Sequence, residues 1–94
     1  MTAYMMAELE VTDPEAYAAY SRVAVPTIQR FGGQVLAASD AVAPLEGEPA
    51  RRMILIAFAS EAQARTFYES AEYQTQQAMR ARAARSRLLL VPGL

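Results

Sequence analysis

The most informative segment of the chain reads Arg51-Arg52-Met53-Ile54-Leu55-Ile56-Ala57-Phe58. After its two arginines it is continuously apolar and rich in residues that favour strands, so it predicts a β-strand. A second segment of this kind, Arg87-Leu88-Leu89-Leu90-Val91, predicts the last strand of the chain. Because successive side chains of a strand point to opposite faces, both segments place apolar groups on both faces of a sheet.

A strand and a helix are predicted ahead of these segments. Ala3 to Val11 alternates along its length, which is typical of a strand. Asp13-Pro14-Glu15 then predicts the start of a helix, with a capping side chain, a proline at the first position and an acid near the positive end. Pro26 predicts a kink or break of this helix near Arg22 to Val25, and Gly32-Gly33 predicts its end.

The remaining segments complete a recognisable order. Gln34 to Ser39 predicts the second strand, with a bend at Asp40 and a continuation over Ala41 to Leu45. A capping box at Ser60 to Gln63 predicts a helix, and a further helical stretch starts near Ser70. The order strand, helix, strand, strand, helix, strand predicts an α+β fold, a ferredoxin-like βαββαβ subunit with a four-stranded antiparallel sheet.

The composition excludes several kinds of active site. Cysteine and histidine are both absent, which excludes a thiol nucleophile, a thiolate metal site and the commonest general base. We therefore expect no metal and no cofactor. The net charge of −1 argues against a nucleic-acid partner, because proteins of that class are usually strongly basic.

Length and hydropathy favour one small domain away from membranes. The 94 residues suit a single domain over residues 1–94. Met1 to Val11 lacks the basic region of a signal peptide, and no apolar run approaches the length of about 20 residues that crosses a bilayer. We expect a cytoplasmic protein with no membrane association.

The apolar strands also predict self-association. Two helices can cover only one face of the sheet, which leaves an apolar patch of about 350 Å² on the other face. Burying this patch would be favourable by roughly 9 kcal/mol per subunit before the cost of association. We expect a homodimer in which two sheet faces pack together about a two-fold axis.

Four tyrosines are candidates for lining a small-molecule pocket between helices and sheet. Tyr17 and Tyr20 lie on the apolar stripe of the first helix, either as core residues with polar tips or as groups that orient a ligand. Tyr68 and Tyr73 flank the junction of the two later helical stretches. The glutamates between them could form an acid–base pair with a tyrosine. Alternatively, they could stabilise the following helix by lying near the positive end of its dipole.

Arg52 is a candidate anion anchor. Because side chains alternate, either Arg51 or Arg52 must point toward a covered face of the sheet. A partly buried arginine needs a carboxylate partner, either from a ligand or from the protein, where Glu8 or Glu10 on the first strand could supply it.

Arg80 is a second candidate for binding an anion. It is the first of several arginines in a segment that contains no acidic residue. The run continues through Arg82, Arg85 and Arg87. It is typical of a solvated surface or of favourable charges near a helix C-terminus. Binding of a phosphate or a carboxylate by Arg80 is the functional alternative.

A set of short motifs carries a family resemblance. The most specific is Phe67 to Gln74, which reads Phe-Tyr-Glu-Ser-Ala-Glu-Tyr-Gln. The other matching pieces are Asp13-Pro14-Glu15, Tyr17, Tyr20, Pro26, Gly32-Gly33, Glu46-Gly47, Arg52, Phe58, Glu61-Ala62, Arg80 and Arg87 to Val91. Over nearly its whole length the sequence resembles the domain-of-unknown-function 1330 family (DUF1330), within the dimeric α/β-barrel superfamily.

The resemblance implies a ferredoxin-like subunit and a barrel-forming dimer, and it implies no activity. The wider superfamily includes cofactor-free monooxygenases, lactone isomerases and haem-binding branches, which is an analogy of fold. Whether the chain is an enzyme stays open at this point. We expect a homodimer with a pocket for a small, anionic molecule; the alternatives are a cofactor-independent isomerase or monooxygenase on an enolisable substrate, and a non-catalytic assembly module.

Overall fold

The computed structural model describes residues 1–94 as a four-stranded antiparallel sheet with its helices on one face. The strands are β1 (Ala3–Val11), β2 (Gln34–Ser39), β3 (Arg52–Phe58) and β4 (Ala84–Pro92), and the helices are α1 (Pro14–Arg30), α2 (Glu61–Glu69) and α3 (Ala71–Ala83). The strand order is β2-β3-β1-β4. This confirms the predicted ferredoxin-like α+β subunit. None of the helices has the length and apolar character needed to span a membrane.

Strand β1 lies in the centre of the sheet because it is apolar on one face along its whole length. Ala3, Met5, Ala7 and Leu9 are buried beneath the helices. The side chains between them point to the opposite face, which we call the outer face, where Glu8 is exposed. The pairing of β1 with β3 and β4 therefore determines which residues of those strands face the helices.

Helix α1 runs unbroken over Pro14–Arg30, so the predicted break near Arg22 to Val25 is wrong. The predicted cap is present, since the Asp13 side chain accepts a hydrogen bond within the first turn. Pro26 has no N–H to donate to the carbonyl of Arg22. Both residues are exposed, so water can satisfy that carbonyl and the helix continues.

Strand β2 ends at Ser39, and the predicted continuation over Ala41 to Leu45 is wrong. Ser39 pairs with Met53, which adjoins the first residue of β3, so the chain beyond Ser39 has no strand to pair with. The bend predicted at Asp40 is present.

Strand β4 begins at Ala84, earlier than the predicted start at Arg87. The reason is the length of β1, whose last residues pair with the beginning of β4: Val11 lies opposite Ala84 and Leu9 lies opposite Ser86. The sequence before Arg87 contains no apolar alternation, so only this pairing identifies it as strand.

Two serines define the second helical region. The Ser60 side chain accepts from the N–H of Gln63 at 3.1 Å, but Gln63 donates its side chain to the carbonyl of Phe31 at 2.9 Å instead of closing the capping box. Ser70 ends α2 and starts α3, because its side chain accepts from the N–H of Tyr73 at 3.1 Å. The predicted division into two helical stretches is thereby confirmed.

The outer face of the sheet divides into an apolar half and a charged half. The apolar half consists of Tyr4, Met6, Leu55, Ala57, Leu89 and Val91. No helix covers it, and Leu89 and Val91 keep 43% and 40% of their surface exposed. In the charged half, Glu8 lies opposite Arg87 and Glu10 lies opposite Arg85 on neighbouring strands. Both faces of the sheet thus carry apolar side chains, as the sequence predicts.

The tight contact at Gly33 yields a first prediction. A Cβ at this buried position would lie 2.6 Å from Cγ2 of Ile28 and 2.9 Å from the ring of Phe58. We expect Gly33→Ala to lower the free energy of unfolding by about 1–3 kcal/mol through overpacking, measured by urea denaturation. Gly47→Ala is the control, because Gly47 has φ +83° with open space around it, so only backbone strain of about 1 kcal/mol applies. A smaller loss for Gly33→Ala than for this control would contradict the packing argument.

Candidate functional site

A cavity of about 200 Å³ lies between α1 and the sheet. Its walls are mostly apolar, with Ile54 and Ile56 from β3 and Ile28 from α1. Short side chains stand where larger ones would close the gap, since Ala7 of β1 and Ala24 of α1 both line it. The alanine-rich composition therefore leaves room between layers that would otherwise be close-packed.

The cavity reaches solvent beside the edge strand β2. Val35 and Ala38 belong to the helix-facing side of this strand, because they pair with Ile56 and Ile54 of β3. Both line the cavity, and both are exposed. Helix α1 thus covers the middle of the sheet and leaves this edge uncovered.

A cluster of buried polar groups lies at the inner end of the cavity. The hydroxyl oxygens of Tyr20 and Tyr73 are 2.7 Å apart. Arg80 donates from Nη1 to the Tyr73 hydroxyl at 2.6 Å and from Nε to the Ser86 hydroxyl at 3.1 Å. Arg80 is only 6% exposed, so a sequence expectation of a solvated Arg80 is wrong.

The Arg80 guanidinium has no carboxylate partner. The ion pairs of the protein are Arg30–Glu72, Arg51–Glu10, Arg52–Asp40 and Arg65–Glu61. No aspartate or glutamate lines the cavity. A buried cation without a counter-ion is energetically costly, so negative charge placed in the cavity would stabilise this cluster.

The cluster also has more hydrogen-bond donors than acceptors. The contact between Tyr20 and Tyr73 uses one of their two hydroxyl protons, whichever residue donates, and the other proton has no protein acceptor. The Nη2 group of Arg80 likewise makes no hydrogen bond to the protein. Burial raises the pKa of Tyr20 well above its usual range, and Tyr73 acts in the same direction, so Tyr20 keeps its proton.

Arg52 and Tyr17 line the cavity toward its outer end. Arg52, not Arg51, faces the helices, since it lies opposite the buried Leu9 of β1. It donates to the Tyr17 hydroxyl at 3.4 Å and stacks over that ring with 5.7 Å to the centroid. Its carboxylate partner is Asp40 at 3.1 Å.

The expectation that Glu8 or Glu10 would pair with Arg52 is wrong. Both glutamates belong to the outer face of β1, and Glu10 lies 3.7 Å from Arg51 instead. The Tyr17 hydrogen bond raises the pKa of Arg52, with Asp40 acting in the same direction, so Arg52 remains charged.

The structure brings together five of the six predicted site residues around one cavity, which are Tyr17, Tyr20, Arg52, Tyr73 and Arg80. Tyr68 does not line it. It faces a separate groove that also contains Glu69, between α2 and β4. Glu72 is exposed and bonded to Arg30 and Thr27, so neither glutamate can act as an acid or base inside the cavity.

Sequence reasoning missed two participants. Ser86 positions Arg80, and Asp40 holds Arg52. Ser86 gives no signal in the sequence, because it precedes the predicted start of β4, and only its pairing with the buried Leu9 places it under the helices. No cluster of acidic, histidine or cysteine side chains is arranged to hold a metal ion.

The comparisons with known proteins agree with this architecture. The sequence model of the family described as "Domain of unknown function (DUF1330)" matches residues 2–94. The chain belongs to the DUF1330 family. No curated protein matches this DUF1330 chain.

Solved structures share the fold of the DUF1330 chain. A protein of unknown function from Rhodopseudomonas palustris superposes with a TM-score of 0.79 at 24% identity, covering 99% of this chain and 82% of that chain. A dimeric ferredoxin-like protein of unknown function from Jannaschia gives a TM-score of 0.75 at 10% identity, with coverage of 99% and 100%. SnoaB, a cofactor-independent oxygenase from Streptomyces nogalater, gives 0.73 at 7% identity, with coverage of 99% and 93%. At these identities the likeness shows the fold alone.

Because the Arg80 guanidinium has no counter-ion, we expect that replacing it does not destabilise the protein. We expect Arg80→Met to leave the free energy of unfolding unchanged or to raise it by about 1–4 kcal/mol, because an apolar side chain of similar size removes a buried charge. Urea denaturation measures this. Arg65→Met is the control, since Arg65 is exposed and its ion pair with Glu61 contributes less than about 1 kcal/mol. A loss of more than about 3 kcal/mol for Arg80→Met would mean that Arg80 serves mainly to hold the fold.

Tyr20 predicts a pH dependence at the alkaline end. Its pKa is raised in the folded protein, whereas in the unfolded chain it is about 10. Above that pH the unfolded state loses the proton first, so stability decreases as pH rises. We expect Tyr20→Phe to remove a total of about 1.4 kcal/mol of this decrease between about pH 9 and 11, measured by urea denaturation. Parallel curves for the variant and the wild type would contradict the assignment.

Proposed function

We propose that the protein is a homodimer whose subunits each bind a small, mostly apolar organic anion in the cavity between helices and sheet. The observation that carries this proposal is the buried Arg80 guanidinium, which lines the cavity without a carboxylate partner. An anionic ligand would supply the missing negative charge. It would also accept the unused proton of the Tyr20–Tyr73 pair.

The dimensions of the cavity set the size of the ligand. A dry cavity of about 150 Å³ holds benzene, so a cavity of about 200 Å³ that opens to solvent suits a single ring with one or two small substituents. The walls are apolar apart from the tyrosine hydroxyls, Ser21 and the two arginines. These properties favour a compact carboxylate with one ring or a short branched chain.

The outer face of the sheet supports the homodimer. Its apolar half is uncovered in the subunit, which is where a second copy would pack. Its charged half contains acidic side chains on β1 beside basic ones on β4, so two copies related by a two-fold axis can place opposite charges together. The Jannaschia protein of the same fold is described as dimeric.

A cofactor-independent isomerase or monooxygenase is the second candidate function. The fold is shared with SnoaB, which is described as a cofactor-independent oxygenase. In such a reaction the hydroxyl protons and the Arg80 guanidinium would stabilise the oxyanion of an enolised substrate. No carboxylate or imidazole lines the cavity to remove a proton, so the substrate would have to enolise through Tyr73 or before binding.

A pure assembly module, the third alternative, receives less support. Close packing between the helices and the sheet would favour an assembly module. The structure instead has a cavity there, with the charged Arg80 at its inner end.

The anion site predicts selective stabilisation by small carboxylates. We expect benzoate at millimolar concentration to raise the melting temperature of the wild type, because it pairs with Arg80 and binds only the folded state. Arg80→Met should abolish this shift. Arg82→Met should retain it, because Arg82 is exposed on α3 and makes no hydrogen bond or ion pair. Benzamide, which has the same shape without the charge, should give no shift. An equal shift in the Arg80→Met variant would remove Arg80 from the site.

The proposed dimer predicts that a charge placed in the apolar half of the outer face prevents association. We expect the wild type to scatter light as a dimer of the 10.3 kDa chain at micromolar concentration. Leu89→Asp should produce a folded monomer, because it places a charge in the apolar half. Leu45→Asp is the control, since Leu45 lies in a loop and is 94% exposed. A wild type that remains monomeric would contradict the sheet-to-sheet interface.

A further inference from the structure

The outer end of the cavity carries a second set of hydrogen-bond donors. Tyr17 accepts a hydrogen bond from Arg52, and its own hydroxyl proton has no protein acceptor. Arg52 points its guanidinium along the same wall. Beyond the outer end, the same two residues also line a shallow groove on the protein surface with Asp40. Arg52 and Tyr17 thus form the wall between the cavity and the exterior.

The strand residues associated with the two donor sets, Ser86 and Arg52, lie at the same level of the sheet. Ser86, which holds Arg80, lies opposite Leu9 of β1, and Leu9 lies opposite Arg52 of β3. Neighbouring strands are about 4.8 Å apart, so the backbones at Ser86 and Arg52 are separated by about 10 Å. A molecule with one aromatic ring and an oxygen at each end spans most of this interval, and hydrogen bonds to the donor side chains cover the rest.

The present partner of Arg52 competes weakly with a ligand. The Asp40 side chain is 81% exposed, and an ion pair with so exposed a partner contributes little to stability. The Tyr17 contact is long, at 3.4 Å. Arg52 can therefore turn from these partners to a ligand oxygen at small cost, whereas Arg80 is buried and held by two hydrogen bonds, one of them 2.6 Å long.

We propose that the ligand is a bifunctional acceptor: an anion whose charged group binds at Arg80 and whose far end carries a second, acceptor-only oxygen that binds at Arg52 and Tyr17. This inference rests on the proposed anion site and adds the second recognition element. The chemical class is an aromatic or similarly compact carboxylate with a carbonyl oxygen at the opposite end. A carbonyl oxygen at that end can accept from both Arg52 and Tyr17, whereas a donor group could make no hydrogen bond to the Arg52 guanidinium and is disfavoured.

Two matched probes test this assignment. 4-Formylbenzoate and 4-vinylbenzoate have the same charge and nearly the same shape, and differ by a carbonyl oxygen in place of a CH₂ group. The chain contains no lysine that could form an imine with the aldehyde. By isothermal titration calorimetry, we expect the wild type to bind the formyl compound about ten-fold more tightly, as for one charge-assisted hydrogen bond.

Two neighbouring arginines provide the variant and its control. Arg52→Met should bring the two affinities within about two-fold of each other, because the charged donor is lost and only the neutral Tyr17 hydroxyl remains. Arg51→Met should keep the ten-fold preference, because the Arg51 side chain is 74% exposed and belongs to the opposite face of the sheet. Arg80→Met should weaken both probes equally.

The outcomes separate the two levels of the proposal. Equal binding of both probes by the wild type, with loss of both in Arg80→Met, would overturn the second acceptor and leave the anion site in place. A preference for the formyl compound that persists in Arg52→Met would overturn the role of Arg52. Failure of both probes to bind the wild type at millimolar concentration would overturn the anion site and this inference with it.

Discussion

Strand β1 is hydrogen-bonded to β3 on one side and to β4 on the other. The register of these two pairings determines which side chains each face of the sheet carries. Its buried side, with Leu9 near one end, places Arg52 and Ser86 under the helices at the same level. One position along, Arg51 and Arg87 face outward. A shift of the β1–β3 pairing by one residue would turn Arg52 to the outer face, and a shift of the β1–β4 pairing would turn Ser86 away from Arg80.

The buried cluster at the inner end of the cavity takes a guanidinium and two phenolic hydroxyls out of water, which costs hydration free energy. Arg80 and Tyr20 could both be replaced by apolar residues that pack without loss of hydration. What the cluster provides is a fixed set of donors in surroundings of low polarity, where an oxyanion interacts more strongly than it would in water. The hydrogen bonds to Tyr73 and Ser86 hold the guanidinium in place before any ligand is present.

Much of the fold was predictable because its signals are local. Alternation in β1, the caps at Asp13 and Ser60, and the apolar run of β3 each identify an element from a few adjacent residues. The break at Pro26 was wrong because an exposed carbonyl can be hydrated, which the sequence alone does not reveal. The extent of β2 and β4 depended on partner strands far away in the chain.

Most residues of the candidate site could be predicted from the sequence, but the hydrogen bonds and ion pairs that they make could not. Spacing along α3 places Tyr73, Gln76 and Arg80 on one helical face, which is the signal that Arg80 is buried. The basic run after it concealed this signal. Tyr68 follows the buried Phe67 directly and so points about 100° away from it around the helix, outside the cavity. The pairing of Arg52 with Asp40 required the observed bend after β2.

Side chains of the uncovered edge strand β2 can be substituted without disturbing the buried core. Val35 and Ala38 border the opening, hydrogen-bond to one neighbour strand only and contribute little to the buried core. Exchanging them for larger or smaller side chains would resize the portal while β1 and the charged inner end stayed as they are. Substitutions in β2 would therefore change the size of the opening without altering the hydrogen-bond donors buried at the inner end.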